Sequence, residues 1–267
     1  MTKQIEGVKV EELTIGDEYL FEEILLRNKE LTKHLIEKFI SIPDIEDIEY
    51  ISTEETNQNT HTNKGVRFDV YVKSQTGVAY IVELQRKDTK ELEKRMRYYQ
   101  AVSDSRQLPK GHPYKDLKDS YVILICREDI FGEGLYKYSF ENTCLEIPSL
   151  KLNDGSYKIV LNAQGTKGDV CKDVIAFLKA IEGESSDNLF VKLFEAAAEK
   201  IKADEMWRET YMQSLLRDQD KFDAGEEKAK IEIVKSLLQD QLPIEFISKH
   251  TDLSVQEIEK LKVEYWN

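Results

Sequence analysis

The sequence predicts an α/β fold: a mixed β-sheet core flanked by helices over residues 1–182, with an all-helical C-terminal region over 183–267. Three observations point there. Val66–Lys73 and Val78–Gln85 are rich in β-branched and aromatic residues and flank Ser74-Gln75-Thr76-Gly77, which is a hairpin signal. Tyr121–Arg127 (YVILICR) is a continuous apolar run of the kind buried on both faces of a sheet. After Gly168 the strand signals stop and the periodic segments have helical spacing.

The elements follow in order. Leu20–Ile40 repeats apolar residues at helical spacing (Leu20, Phe21, Ile24, Leu25, then Leu31, Leu35, Ile36, Phe39) and ends at Ser41-Ile42-Pro43. Ile45–Asn63 drifts from a strand candidate into the polar stretch Thr53–Asn63, which reads as an exposed loop. Asp88–Arg106 reads as a helix capped by Asp88 or Thr89, with Leu92, Met96, Tyr99 and Val102 on one face. Tyr136–Phe140 and Tyr157–Asn162 are strand candidates separated by turn chemistry at Asn153-Asp154-Gly155. Val170–Ile181, Asn188–Arg217 and Ala224–Gln239 have helical spacing, with Glu182–Asp187 as the joint before the C-terminal region. Pro243–His250 and Ser254–Lys262 are two short helices in a degenerate helix-turn-helix-like pair, and Ser254 with Glu257 forms a capping box. The second of them carries Glu257, Glu259 and Glu264, a poor lining for a phosphate groove, so packing or self-association is the expected role. Ile231, Val234, Leu237 and Leu238 form an apolar stripe suited to the body of the protein or to a second copy, which makes a homo-oligomer through the C-terminal helices an expectation.

The chain of 267 residues holds 51 acidic and 38 basic side chains, a formal net charge of −13. That balance argues against a sequence-independent coat for nucleic acid, which needs Lys and Arg to neutralise phosphates. The charge is unevenly spread. Residues 61–118 carry 13 basic and 7 acidic groups, whereas 1–60 carry 6 and 15 and 119–267 carry 19 and 29. The hairpin lies in the one basic segment. No apolar run approaches the roughly 20 residues of a membrane span, and Met1–Val10 is polar, so a soluble, cytoplasmic protein is expected. Cys126, Cys144 and Cys171 are odd in number and widely spaced, which suits reduced thiols rather than disulfides or zinc ligands. His34, His61, His112 and His250 are scattered and none stands in a triad-like phrase. GxxxxGK[ST] and GxGxxG are both absent.

The hairpin has chemical consequences. With Thr76 at its centre, Asp69 faces Glu83, Arg67 faces Gln85 and Tyr71 faces Ile81. On the other face Phe68 meets Leu84, Val70 meets Val82 and Val72 meets Tyr80, a wholly apolar set that pins the register. A loop Gln75-Thr76-Gly77 suits it, because Gly takes the left-handed position of such turns. Directly opposed residues hold their Cβ atoms about 4.5–5.5 Å apart, and like charges so placed repel. Spacing alone leaves two readings open. One is a site for Mg²⁺ or Mn²⁺, which prefer hard carboxylate oxygens. The other is an exposed polar hairpin face in which Arg67 pairs with a carboxylate.

Several phrases resemble one family. They are Phe68-Asp69-Val70, Tyr80-Ile81-Val82-Glu83-Leu84-Gln85, the helix phrase Arg95-Met96-Arg97-Tyr98-Tyr99, Gly111-His112-Pro113-Tyr114 and the Tyr121–Cys126 strand. The tail phrase Ile247–Ser254 followed by Glu257-Ile258 is similar too. Together these resemble the bacterial recombination-promoting nucleases (Rpn) and related transposases of the PD-(D/E)XK nuclease superfamily, over residues 15–262. The resemblance implies a restriction-endonuclease-like core and Mg²⁺- or Mn²⁺-dependent cleavage of DNA, linked to recombination or transposition. Carried over, Asp69 and Glu83 are the metal-binding carboxylates and the Leu84 carbonyl completes the protein's share of the shell. Gln85 is a catalytic residue in the place where the superfamily usually has lysine. Gln can orient a water but brings no charge, so the metal or a basic group from elsewhere must supply it. Arg86 and Arg95 are the candidates for DNA contact, with Lys87, Lys90, Lys94 and Arg97 near them. The superfamily also often draws an acid from its first helix, where Asp17, Glu18, Glu22 and Glu23 all qualify. Two rivals stand beside this reading: a catalytically idle nuclease-fold module that binds DNA or protein, and a transposase that joins strands as well as cutting them.

Overall fold

The structure is a computed structural model that describes residues 9–42, 45–51, 66–87 and 89–266. The expected loop Thr53–Asn63, which includes His61, lies outside the described residues, as does Asp88. Six strands form a mixed sheet in the order β1-β2-β3-β4-β6-β5: β1 (Ile48–Tyr50), β2 (Val70–Ser74), β3 (Ala79–Gln85), β4 (Ser120–Cys126), β5 (Lys137–Phe140) and β6 (Ser156–Asn162). The central strands β3, β4 and β6 are parallel, and β1, β2 and β5 pair antiparallel with their neighbours. Eight α-helices are described: α1 (Glu18–Arg27), α2 (Lys29–Ile40), α3 (Leu92–Gln107), α4 (Lys172–Ile181), α5 (Leu189–Lys202), α6 (Glu205–Gln239), α7 (Ile244–Thr251) and α8 (Val255–Trp266).

The hairpin forms in the register that the apolar pattern demands. Val70 pairs with Val82, Tyr71 with Ile81 and Val72 with Tyr80. At the turn, Gly77 has φ +87° and donates its N–H to the Ser74 carbonyl at 2.9 Å, while Ser74 N–H reaches Val78 O at 2.9 Å.

Both faces of the sheet are covered. The strand period of two puts Tyr71, Ile81, Glu83, Val122, Leu124 and Val160 on one face, and Leu92, Met96 and Tyr99 of α3 pack over it. Across the sheet Val70, Val82, Leu84, Ile123 and Leu161 are buried beneath α1 and α2. Helices α4 and α5 pack behind these, joined by an aromatic cluster centred on Phe177, with ring centroids 6.2 Å from Phe21, 5.6 Å from Phe39 and 5.0 Å from Phe194. The carboxylate face of the hairpin is therefore a core face, because Tyr71 and Ile81 supply enough apolar surface to seat α3.

Four expected helices differ from the periodicity. The stretch Leu20–Ile40 is two helices, since Asn28 leaves the helix with φ −129°. Its side chain donates to Ile24 O at 2.7 Å and its carbonyl accepts Thr32 N–H at 2.9 Å, so one residue closes α1 and opens α2. In Asn188–Arg217 the break falls at Ala203-Asp204, where the Asp204 carboxylate takes Arg27 Nη1 at 2.6 Å. Helix α6 then runs without interruption through 218–223, which has no Gly or Pro and is bridged by Gln219–Asp223 at 2.7 Å. Helix α3 begins at Leu92 with Glu91 at its N-cap, later than a cap at Asp88 or Thr89.

The chain divides into two compact units. The larger is Lys9–Asp204, and the second contains Glu205–Asn267. The larger unit thus runs past residue 182, because Phe190, Val191 and Phe194 bury the apolar face of α5 against α1 and α4. In the second unit Val234, Ile247 and Ile258 are fully buried, with Leu237, Leu238 and Leu253 packed on them. The stripe on α6 is covered within its own unit by α7 and α8. The Ser254–Glu257 capping box forms, with Ser254 N–H to Glu257 Oε2 at 2.8 Å and Glu257 N–H to Ser254 Oγ at 3.3 Å. Among the described residues no helix is long and apolar enough to cross a membrane.

Candidate active site

The sheet and α3 together build one polar cluster in an apolar interior. Glu83 sits near the C-terminal end of β3 with 3% of its surface exposed, beside Leu124 of β4 and under α3. Its Oε2 accepts from Arg95 Nη2 of α3 at 3.3 Å, and its Oε1 is buried with no hydrogen-bond partner. Gln85, two residues on and on the same face, accepts at Oε1 from the same Arg95 nitrogen. The guanidinium also lies 5.6 Å from the centroid of the Tyr99 ring. Helix spacing makes this possible: Arg95 and Tyr99 are four residues apart, so one stripe of α3 faces the end of β3.

Asp69 stands just before β2, at a bend that ends the hairpin ladder. Its carboxylate accepts the Leu84 backbone N–H. The bend changes two expectations. Phe68 does not continue the strand opposite Leu84; it turns towards α3 and packs edge-on against Tyr71 and Tyr99, at 5.3 and 5.1 Å. Arg67 does not face Gln85, and its Nη2 pairs with Glu22 of α1 at 2.8 Å. An exposed polar hairpin face is thereby replaced by a covered one.

Burial is the largest influence on both acids and pushes both carboxyl groups well above the usual carboxylate range. For Glu83 the neighbouring Asp69 adds repulsion and Arg95 opposes it; for Asp69, Glu22 and Glu18 add to the rise. Two acids that resist ionisation in one place are short of positive charge. Burial also raises the Tyr99 hydroxyl, with Glu83 adding to the effect.

Of the four acids on the first helix, the structure brings two towards Asp69. Glu18 Oε1 accepts the Arg86 N–H at 3.1 Å, and Glu22 holds Arg67. Burial raises the pKa of both. Asp17 instead caps α1 by accepting Leu20 N–H at 3.0 Å, and Glu23 pairs with Arg27 along the helix. Arg86 and Lys87 are exposed on the lip of an open cleft of about 660 Å³ that Glu18, Gln85, Arg127 and Glu182 also line. Arg127 is held by Glu182 at 2.9 Å. Sequence reasoning missed both. The available signal was position, since Arg127 immediately follows the parallel strand β4 and clefts open at the carboxyl ends of such strands.

The donor set suits a hard divalent cation. Two carboxylates meet in a buried place, one oxygen of Glu83 has no partner, and Mg²⁺ is commonly held by one or two carboxylates with water completing the shell. Among the described residues no group of three or more His, Cys, Asp or Glu side chains forms a complete cage.

Residues 18–145 match the model of a family described as PD-(D/E)XK nuclease family transposase. No curated protein and no solved structure matches the chain. The PD-(D/E)XK segment begins at the first residue of α1 and ends just beyond β5, so it contains Asp69, Glu83, Gln85 and Arg95 together with the helix that covers them. The match points to a nuclease- or transposase-like function.

Proposed function

We propose that this protein is a divalent-metal-dependent endodeoxyribonuclease that hydrolyses phosphodiester bonds, with Asp69 and Glu83 holding Mg²⁺ or Mn²⁺. The observation that carries this reading is the unpartnered, buried Oε1 of Glu83 beside a second carboxylate, a place that gains by receiving positive charge. The bound cation would polarise the phosphate and offset the charge that develops on it. Glu18 is the acid from the first helix that shares the cleft with Gln85, beside the pair of carboxylates.

The chain's own groups do the rest. Gln85 orients the attacking water through its amide, and Arg95 fixes that amide by taking its Oε1. Arg95 also supplies the positive charge that glutamine lacks, from a helix rather than from the strand position itself. The water oxygen forms the new bond to phosphorus as the bond to the leaving deoxyribose oxygen breaks, the water giving up its proton to solvent and the leaving oxygen taking one from solvent. Arg86 and Lys87, on the lip of the cleft, are placed to hold the DNA backbone.

The test is cleavage of plasmid DNA with Mg²⁺ or Mn²⁺. Asp69→Ala should lower the rate at least about 10³-fold with an unchanged circular dichroism spectrum, a loss of the size that follows removal of a transition-state charge stabiliser. Cleavage that survives the substitution rules the assignment out. The Arg95–Glu83 ion pair favours a second reading, a catalytically idle module whose cation has been replaced by an arginine. Calorimetry separates the two, because an idle site takes up no Mn²⁺ at stoichiometric concentration.

A further inference from the structure

One helix about 10 Å across cannot cover a sheet whose strands lie about 4.8 Å apart. Leu92, Met96 and Tyr99 of α3 pack over the middle of the sheet, but beyond it the outer strands β6 and β5 leave a hollow between α3 and the edge of the sheet. That hollow is a cavity of about 660 Å³, within the range of small-ligand sites, and distinct from the cleft at Gln85. Its apolar part is Met96 with Phe131 and Phe140, whose rings lie 5.1 Å apart, and Phe140 remains 44% exposed.

Its polar part is a row of acceptors. Gln100, 5% exposed, donates through Nε2 to Ser120 Oγ, and its Oε1 is buried with no hydrogen-bond partner. Ser120 Oγ in turn donates to Asp104 Oδ1 at 3.0 Å. The Asp104 carboxylate also takes the Gln100 side chain, so in this part of the cavity lining Gln100 Oε1 is the acceptor left without an N–H group. A native interior rarely leaves such an acceptor unmatched. Arg97 and Lys158 stand among the lining residues as basic groups.

We propose that this cavity binds a nucleobase with adjacent N–H donors, guanine in particular, stacked on Phe140 and read by Asp104 and Gln100. Guanine presents an imino N–H beside an exocyclic amine, a parallel pair of donors that matches a carboxylate as a guanidinium does. Adenine offers only an amine on that side and uracil a single imino N–H. The flat aromatic wall supplies stacking that any base accepts, and the acceptors supply the choice. Arg97 and Lys158 suit the phosphate or ribose attached to it. The base can come from a free nucleotide or from an unpaired position in a nucleic acid strand.

Calorimetry on the full chain tests this with guanosine, adenosine, uridine and a short single-stranded oligonucleotide carrying one guanine. Guanosine should bind at least about tenfold more tightly than adenosine or uridine, the size expected of one paired set of hydrogen bonds. Asp104→Asn should remove that preference, and Phe140→Ala, at an exposed position that leaves folding intact, should weaken all three nucleosides alike. Tighter binding of the oligonucleotide assigns the site to a nucleic acid strand, and equal or tighter binding of guanosine assigns it to a free nucleotide. Absence of saturable guanosine binding at millimolar concentration, or equal affinity for the three nucleosides, overturns the proposal whether or not the protein cleaves DNA.

Discussion

The two faces of the one sheet are built on opposite terms. Beneath α1 and α2 the interior is aliphatic and aromatic, with Phe21, Phe39 and Phe194 each packed against Phe177, and with Val82, Leu84 and Ile123 under them. Beneath α3 the interior holds Glu83, Gln85, Arg95, Gln100 and Ser120, and Glu83, Arg95, Gln100 and Gln107 each bury a polar atom with no hydrogen-bond partner. Uncompensated polar groups cost stability, so their concentration on one side marks the side where something other than packing was selected. The face covered by several helices holds the fold. The face covered by one helix holds the polar cluster proposed as the site.

The largest effect that sharpens this contrast is on the apolar side. Phe177→Ala should destabilise the larger unit by about 3–5 kcal/mol through the cavity it leaves, while the rate per folded molecule stays near the original value. Thermal melting with an active-site titration checks both halves. A loss of rate with little loss of stability would show that the apolar face is tuned to the site and break the comparison.

On the α3 side the order should reverse. Arg95→Gln should reduce cleavage about 10²-fold, the size expected for loss of one charged hydrogen-bond donor, with a melting temperature close to that of the parent. Metal titration should show Mn²⁺ uptake preserved or tightened, because Glu83 loses its competing cation. Weaker uptake would place Arg95 among the groups that build the metal site and not among those that act beside it.

The smallest expected effect is with pH. The folded protein holds protons on Asp69 and Glu83 more tightly than the unfolded chain does, since burial and mutual repulsion raise both groups. The metal-free protein should therefore lose none of this stability below the unfolded carboxylate pKa of about 4, and should lose it progressively as pH rises through the raised values of the pair. Saturating Mg²⁺ should flatten the slope, because cation binding releases those protons. Denaturant melts between pH 4 and 8 with and without Mg²⁺ check it, and an unchanged slope in Mg²⁺ would remove the cation from these two acids.

Much of this was legible in the residues. The pairing of β2 with β3 followed from one apolar set, Val70, Val72, Tyr80 and Val82, because a slip by one would have broken it. The Ser254–Glu257 box announced the start of α8, and YVILICR announced a strand buried on both faces. Local rules decide such features, and local rules are written in neighbouring residues. Arg67 and Phe68 were misplaced for the complementary reason. Their directions depend on a bend at Asp69 that exists because its carboxylate captures Leu84 N–H from the next strand.

By itself, then, the sequence determined the strands and their register from Val70–Val82 to the turn, since periodicity of two leaves no other arrangement, and it singled out Asp69 and Glu83, although the bend that holds Asp69 came from the fold. Whether those acids would meet water or protein was decided only when α3 folded over them, bringing Arg95 from outside the hairpin to Glu83 and Gln85. The same packing chose Glu18 and Glu22 from four equivalent acids and left the hollow beside Gln100, because the width of one helix against six strands is a property of the assembled layers and not of any segment in them.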